Sequence, residues 1–190
     1  KRFRFLGYEI KDIELPHIKY ALAAYYIIMP AEASSNLARF DGVRYGLHQD
    51  GAGVIEDYFK TRGKGFGKEA RRRIILGTYV LSSGYYDEYY RSALEMKGLI
   101  TKELKEVFEE IDLILTPTTP TPAFKLGEKT AEPLSMYLAD IFTVPANIAG
   151  LPSISIPSGF AGTLPLGIEL TAGLGREDNL FTAGKEFLGE

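Results

Sequence analysis

A proline-rich segment near residue 120 constrains the fold of this chain more than any other feature. Residues 111–115 (IDLIL) form a continuous apolar run, which is typical of a strand buried on both faces, as in a parallel sheet. The run leads directly into 116–122 (TPTTPTP), where three prolines exclude a helix and predict an extended loop. The helices and other strands are therefore expected before and after this segment.

Apolar spacing elsewhere predicts helices interleaved with strands. Before the prolines we expect a strand at 8–15 and a helix over 17–28 that ends near Pro30. Two further helices are expected at 68–82 and at 85–110, the second of them interrupted near Gly98. The glycine-rich stretch 46–67 is expected to be the loosest part, with a short helix-like piece at 54–61 inside it. After the prolines we expect a helix at 138–148, strands at 153–157 and 166–170 joined by a glycine-bearing turn, and a helix at 179–188. This order predicts an α/β domain.

Composition excludes several classes of protein. The 190 residues are 45% hydrophobic and 25% charged, as expected for one globular domain, and the net charge of −3 gives no basic field for holding nucleic acid. There is no cysteine, and the two histidines, His17 and His48, are too few and too far apart for a typical zinc site. No apolar run is long enough to span a membrane. We expect a cytoplasmic protein without a metal.

The familiar catalytic motifs are missing from the sequence. It contains no Gly-x-Ser-x-Gly elbow, no Walker loop, no dinucleotide fingerprint after a strand and no HExxH. The glycine-rich piece 63–67 (GKGFG) resembles a phosphate-binding loop, but it lacks the preceding strand and the Lys-Ser/Thr ending. A surface loop is the better interpretation.

A few polar residues stand next to apolar helical stretches. Residues 71–73 (RRR) precede an apolar stripe, and because successive helical residues point about 100° apart, one arginine of the three can turn inward as a clamp for a carboxylate. Asp140 lies in an otherwise apolar stretch, either as the N-cap of the following helix or as a buried anion that meets a cationic ligand. Tyr25 and Tyr26 are core aromatics or ligand contacts. A guanidinium, a carboxylate and a phenol together would suit a zwitterionic amino acid.

Long strings of this sequence resemble the amidase signature family, and within it the glutaminase (A) subunits of tRNA-dependent glutamine amidotransferases. The strings are 25–46 (YYIIMPAEASSNLARFDGVRYG), 65–74, 76–78 (LGT), 83–87 (SGYYD), 117–122 and 140–157 (DIFTVPANIAGLPSISIP). The resemblance covers nearly the whole chain and weakens in about the last twenty residues.

The resemblance implies a fold and a reaction. The family fold is one large α/β/α sandwich around a mixed central sheet. Its chemistry is acyl transfer by a Lys–cis-Ser–Ser triad that hydrolyses glutamine and releases ammonia. A partner B subunit, to which ATP and Mg²⁺ would bind, uses the ammonia to amidate Glu-tRNA(Gln) and often Asp-tRNA(Asn). A small C subunit wraps the A–B pair, and tRNA is reached through the complex.

The resemblance also implies that residues 1–190 are the C-terminal portion of a single amidase domain. The family's catalytic lysine, both serines and the Gly/Ser-rich signature belong to an N-terminal portion that these residues do not contain. Ser34-Ser35 and Ser82-Ser83 lack the surrounding glycines that would form an oxyanion hole. No catalytic residue is therefore expected here, and the isolated chain is expected to be inactive.

The glutamine-binding residues of the family do carry over. A tyrosine, an arginine and an aspartate hold the amino-acid end of glutamine, and the matching positions are Tyr25, Arg73 and Asp140, with Tyr26 and Arg72 as alternatives for the first two. The resemblance thus predicts the recognition half of a glutaminase. Two other hypotheses are a fragment of a stand-alone amidase acting on small amides and a non-catalytic binding domain.

Overall fold

The computed structural model describes residues 1–129 and 133–190 and divides the chain into two compact units. The sheet unit comprises Lys1–Leu22 and Met96–Glu190, and the helical unit comprises Ala23–Glu95. That residues 1–190 belong to a single amidase domain stays a prediction.

The sheet unit is built around three antiparallel strands in the order β1-β3-β2. These are β1 (Leu113–Pro117), β2 (Ser153–Ala161) and β3 (Leu164–Ala172). The predicted hairpin is confirmed: β2 and β3 pair along their length, with a register shift between Pro157 and Gly159. The helix α8 (Glu177–Leu188) follows β3, also as predicted.

Strand alternation gives this sheet an apolar face and a polar face. Ile156, Leu170 and Ala172 point to one side, where they pack with Phe3 and with one stripe of α8 (Leu180, Ala183 and Phe187). The opposite side carries the intervening residues, many of them Thr, Ser or Glu, because successive side chains of a strand point to opposite faces. The apolar face is the core of the sheet unit.

The remaining helices of the sheet unit are α1 (Arg2–Phe5), most of α5 (Ser92–Val107), α6 (Pro133–Tyr137) and α7 (Val144–Ala149). A 3₁₀ turn, Leu138–Asp140, precedes α7, so the continuous helix predicted at 138–148 is divided in two. The predicted interruption at Gly98 does not occur, because α5 runs through it.

Two strand predictions are wrong. Residues 8–15 form no strand, although their polarity alternates. The apolar run that becomes β1 pairs with β3 in antiparallel register, Leu113 opposite Ala172, and not in a parallel sheet. The expected burial on both faces is not observed either, since no residue of β1 is fully buried and Leu115 is 46% exposed. The α/β class is confirmed, and within the described residues the sheet is antiparallel throughout.

The helical unit contains α2 (Ala21–Leu37, from Ala23 onward), α3 (Val54–Gly65), α4 (Lys68–Val80) and a π-helical stretch, Tyr86–Arg91. The prediction that a helix ends near Pro30 is wrong, since α2 continues through it. Proline removes one backbone hydrogen bond, but Pro30 is among the most completely buried side chains, and its packing offsets that loss. The stretch 46–67, predicted to be loose around a short helix-like piece at 54–61, contains all of α3, which begins at the predicted residue and runs four residues further.

Gly77 lets α2 and α4 touch backbone to backbone. A Cβ atom placed on Gly77 would lie 1.9 Å from the carbonyl oxygen of Pro30 and 2.8 Å from Oγ of Ser34. Only a residue without a side chain fits this crossing point. The close approach therefore fixes which face of α4 is turned toward α2.

No helix of the described residues is long and apolar enough to cross a membrane.

Candidate functional site

Arg73 lies on the face of α4 that meets α2. It precedes Gly77 by four residues, so the two share one side of the helix. Its Nη1 is 3.6 Å from Sδ of Met29 on α2. The Arg73 side chain is 33% exposed against 50% for Arg72, and Arg71 is exposed as well. Of the three consecutive arginines, Arg73 is the one that turns inward.

The guanidinium of Arg73 is held from one side. Its Nε donates to Oε1 of Glu69 at 2.9 Å, one turn earlier on the same helix. Burial works against the charged form, but the hydrogen bond and charge of Glu69 outweigh it and raise the pKa of Arg73. Neither terminal nitrogen has an oxygen acceptor within the described residues. The Nη edge is therefore available to a carboxylate, in the paired geometry that arginine favours.

Tyr25 and Tyr26 lie within electrostatic reach of the same guanidinium. Both contribute to the raised pKa of Arg73. Their rings meet edge to face, with centroids 5.1 Å apart at 87°, and both side chains are half-buried. Tyr25 precedes Met29 by four residues and thus shares its helix face with the contact to Arg73. Of the two, Tyr26 makes the larger electrostatic contribution to the raised pKa of Arg73, so both tyrosines stay candidates for its partner.

Asp140 ends the 3₁₀ turn Leu138–Asp140 in the sheet unit. The interpretation of Asp140 as the N-cap of α7 is wrong, because Thr143 occupies that position. The backbone carbonyl of Asp140 accepts hydrogen bonds from the backbone N–H and from Oγ1 of Thr143, both at 3.2 Å. Asp140 as a whole is half-buried, which is the setting expected for an anion that meets a cationic group.

Glu169, a buried carboxyl on the polar face of the sheet, was not predicted from the sequence. Glu169 is only 3% exposed; its Oε1 accepts a hydrogen bond from Oγ of Ser153 at 2.8 Å, and its Oε2 has no partner within the described residues. Burial raises the pKa of Glu169, and the Ser153 hydrogen bond opposes that shift. The signal in the sequence was a lone acid between Ile168 and Leu170 in an otherwise apolar strand.

Glu169→Gln in the full-length protein should increase the free energy of unfolding at pH 8 by about 1–2 kcal/mol, since an unpaired buried charge is replaced by a neutral amide of the same shape. A raised folded-state pKa means that the carboxyl stabilises the fold below its unfolded pKa and loses this contribution as pH rises through the folded value. The gain should therefore vanish near pH 4. Denaturant melts at both pH values measure it.

The exposed Glu109 provides the control for this experiment. Glu109→Gln should leave stability unchanged at both pH values. An equal effect of Glu169→Gln at pH 4 and pH 8 would contradict a contribution from the ionised carboxyl.

The histidines do not build a metal centre in the described part of the chain. Nδ1 of His17 is 3.2 Å from Oε1 of Glu103, and Nδ1 of His48 contacts the carbonyl of Gly42. No group of three or more His, Cys, Asp or Glu side chains that could hold a metal ion occurs among residues 1–129 and 133–190.

Comparison with known sequences and structures identifies the class of protein. The sequence model of the family described as Amidase matches residues 1–181. The chain belongs to the Amidase family.

Within that family, the chain is similar to the A subunits of glutamyl-tRNA(Gln) amidotransferases. It is 58% identical to one such protein of Clostridium acetobutylicum, over 95% of this chain and 38% of that protein. It is 55% identical to the corresponding protein of Parvibaculum lavamentivorans, over 93% of this chain and 36% of that protein. The chain thus spans little more than a third of the length of these relatives.

Solved structures agree with the fold. The crystal structure of the glutamyl-tRNA(Gln) amidotransferase A subunit from Thermotoga maritima matches with a TM-score of 0.69 and 42% identity, over 95% of this chain and 34% of that one. A 6-aminohexanoate cyclic dimer hydrolase matches with the same TM-score at 18% identity, over 99% of this chain and 39% of that one, and this likeness concerns the fold alone.

Proposed function

We propose that this chain is the glutamine-binding part of the glutaminase subunit of a cytoplasmic tRNA-dependent amidotransferase. The subunit would release ammonia from glutamine for the ATP-dependent conversion of Glu-tRNA(Gln) to Gln-tRNA(Gln), and in some organisms of Asp-tRNA(Asn) to Asn-tRNA(Asn). The observation that carries the proposal is the inward-turned guanidinium of Arg73, with its Nη edge open and Tyr25 nearby. The similarity to proteins named for this reaction supports it.

Each proposed contact matches one charge of glutamine. Arg73 would hold the α-carboxylate through its two terminal nitrogens, because Glu69 occupies only its Nε. Asp140 would accept hydrogen bonds from the α-ammonium group. The hydroxyl of Tyr25 would contribute a neutral hydrogen bond at the same end of the substrate. These contacts leave the carboxamide free for the acyl-transfer step.

The chemical step itself would use groups beyond these three contacts. The nucleophilic serine, the bridging serine and the lysine would come from the part of the relatives that this chain does not match. ATP and Mg²⁺ would bind to the partner B subunit, and a C subunit would join the A–B pair. The role of this chain would be to select and orient glutamine, so that its amide carbon meets the serine in one geometry.

Asp140→Asn tests the contact to the α-ammonium group. In the full-length protein, assembled with its partners, this change should raise the KM for glutamine at least tenfold, because a charge-assisted hydrogen bond becomes a neutral one. Hydrolysis of 4-carbamoylbutanoate, which is glutamine without its amino group, should be unaffected. Steady-state ammonia release with both substrates provides the measurement.

Two outcomes would contradict the proposal. One is an equal loss of activity on both substrates in Asp140→Asn, which would indicate a structural role for the carboxylate. The other is wild-type enzyme that hydrolyses butanamide as efficiently as glutamine, which would indicate a stand-alone amidase of small amides.

A further inference from the structure

The guanidinium of an arginine offers a carboxylate two different edges. One edge carries Nε and one terminal nitrogen, and the other carries the two terminal nitrogens, Nη1 and Nη2. Each edge can bind both oxygens of a carboxylate, but the two edges point in different directions. The edge of Arg73 that is open therefore decides the orientation in which an amino acid lies beside it.

Glu69 closes the first of these edges in Arg73. Its Oε1 accepts the Nε–H of Arg73 at 2.9 Å, and its Oε2 accepts a hydrogen bond from Nη1 of Arg72 at 2.5 Å. Each oxygen of Glu69 thus serves a different arginine, and Arg73 keeps both terminal nitrogens for another acceptor. The weak contact of its Nη1 with Sδ of Met29, at 3.6 Å, engages one hydrogen at most.

Glu69, Arg73 and Gly77 lie in one row along α4. They follow at intervals of four residues, so they share one side of the helix. The contact of Gly77 with the backbone of Pro30 turns this side toward α2. The backbone therefore fixes where Glu69 and Arg73 lie, and the hydrogen bond between them fixes how the guanidinium is turned.

We propose that Glu69 is a positioning residue for glutamine. By occupying Nε of Arg73, Glu69 directs the α-carboxylate onto the two terminal nitrogens and so sets the single orientation in which glutamine docks. This inference rests on the proposed function, since it takes Arg73 as the contact of the α-carboxylate. It goes beyond that function because Glu69 touches no part of the substrate and acts through Arg73 alone.

A positioning residue of this kind affects the rate of the chemical step more than it affects binding. Without Glu69, the α-carboxylate can pair with either edge of Arg73, so glutamine still binds. In the wrong pairing, however, the carboxamide points away from the nucleophile, and a displacement of about 1 Å can lower the rate about a hundredfold. The loss therefore falls on kcat and leaves KM largely unchanged.

A purely structural role for Glu69 predicts something different. An acidic residue in the first turn of a helix interacts favourably with the helix dipole, and an ion pair spaced by four residues stabilises the helix slightly. Glu56 has both properties in α3, where it lies in the first turn and pairs with Lys60 at 3.0 Å. The side chains of Glu56 and Glu69 are 46% and 44% exposed, so Glu56→Ala is a matched control.

The test measures kcat and KM separately for two substrates in the full-length, assembled enzyme. The second substrate is 4-aminobutanamide, which has no α-carboxylate to dock against Arg73. Glu69→Ala should lower kcat for glutamine by about tenfold or more, change its KM by less than about threefold, and leave both constants for 4-aminobutanamide unchanged. Glu69→Gln should keep kcat within about threefold, since its amide oxygen can still accept the Nε–H. Glu56→Ala should behave like the wild type on both substrates.

A double substitution shows whether Glu69 acts through Arg73. In an Arg73→Ala background, Glu69→Ala should cause no further loss of kcat/KM for glutamine, because the group that Glu69 positions is already gone. Independent contributions of the two side chains would instead multiply.

Three results would overturn the inference. The first is a Glu69→Ala enzyme with the wild-type kcat for glutamine, or one whose loss lies in KM alone. The second is an equal loss on 4-aminobutanamide, or an equal loss in Glu56→Ala, which would indicate a role in helix stability. The third is a further loss in the Arg73→Ala background. If Arg73→Ala abolishes the preference for glutamine over 4-aminobutanamide, the proposed function stands without this inference, and if Arg73→Ala retains that preference, both fail.

Discussion

Replacing Arg73 by alanine in the full-length, assembled enzyme should raise the KM for glutamine by roughly 30-fold to several thousandfold. The range corresponds to about 2–5 kcal/mol, the usual cost of removing one partner of a desolvated, hydrogen-bonded charge pair. The Arg73 side chain contacts Met29 of α2 and donates a hydrogen bond to Glu69 one turn earlier on α4, so the wild-type guanidinium is already ordered when substrate arrives. Steady-state kinetics at saturating Glu-tRNA(Gln) and ATP measure the effect.

Arg72→Ala is the matched control for this prediction. Arg72 is adjacent in sequence and pairs with the same Glu69, but it is half exposed and lies off the face that meets α2. Its removal should leave the KM for glutamine within about twofold of the wild type, since exposed ion pairs contribute little. Equal effects of the two substitutions would mean that the inward turn of Arg73 has no bearing on glutamine binding.

Gly77→Ala in the full-length protein should prevent α2 and α4 from packing. The added methyl carbon would sit 1.9 Å from the backbone oxygen of Pro30, and backbone cannot move aside as a flexible side chain can. Overpacking of this kind typically costs about 1–3 kcal/mol and occasionally more. A backbone-to-backbone clash belongs at the upper end. We expect a lowered melting temperature and a strong rise in the KM for glutamine, because Arg73 and Tyr25 lie on these two helices.

Gly98→Ala separates this steric effect from helix propensity. Gly98 lies inside α5, and a Cβ atom built there has no neighbour within 4 Å. Alanine at that site should leave stability unchanged or increase it by about 0.5–1 kcal/mol. A Gly77→Ala protein as stable as the wild type in thermal denaturation would contradict the close helix contact.

The sequence was a good guide to elements with a strong local pattern. The helix α4, the closing helix α8 and the β2–β3 hairpin appear close to where periodicity and turn residues predict them. It failed where tertiary burial overrides local preference. Pro30 does not end α2, because its ring is packed away from water, and the alternating stretch 8–15 forms no strand.

The candidate site could be predicted as a set of residue types but not as a geometry. Helical spacing indicated that one of three arginines turns inward, and the family resemblance favoured Arg73. The physical reason why Arg73 is the arginine that turns inward comes only from the structure, because the contact of Gly77 with Pro30 orients α4 and Arg73 lies on the same face as Gly77. Glu169 escaped prediction because a single acid in a strand is usually exposed, and its burial depends on the packing of the whole sheet.

The central claim is that Arg73 recognises the α-carboxylate of glutamine, and one substrate comparison tests it most directly. 4-Aminobutanamide is glutamine without that carboxylate. The wild-type enzyme should prefer glutamine over it in kcat/KM by at least 30-fold, and Arg73→Ala should abolish the preference while leaving kcat/KM for 4-aminobutanamide unchanged. An Arg73→Ala enzyme that loses activity equally on both substrates, and so keeps the wild-type preference, would contradict the claim.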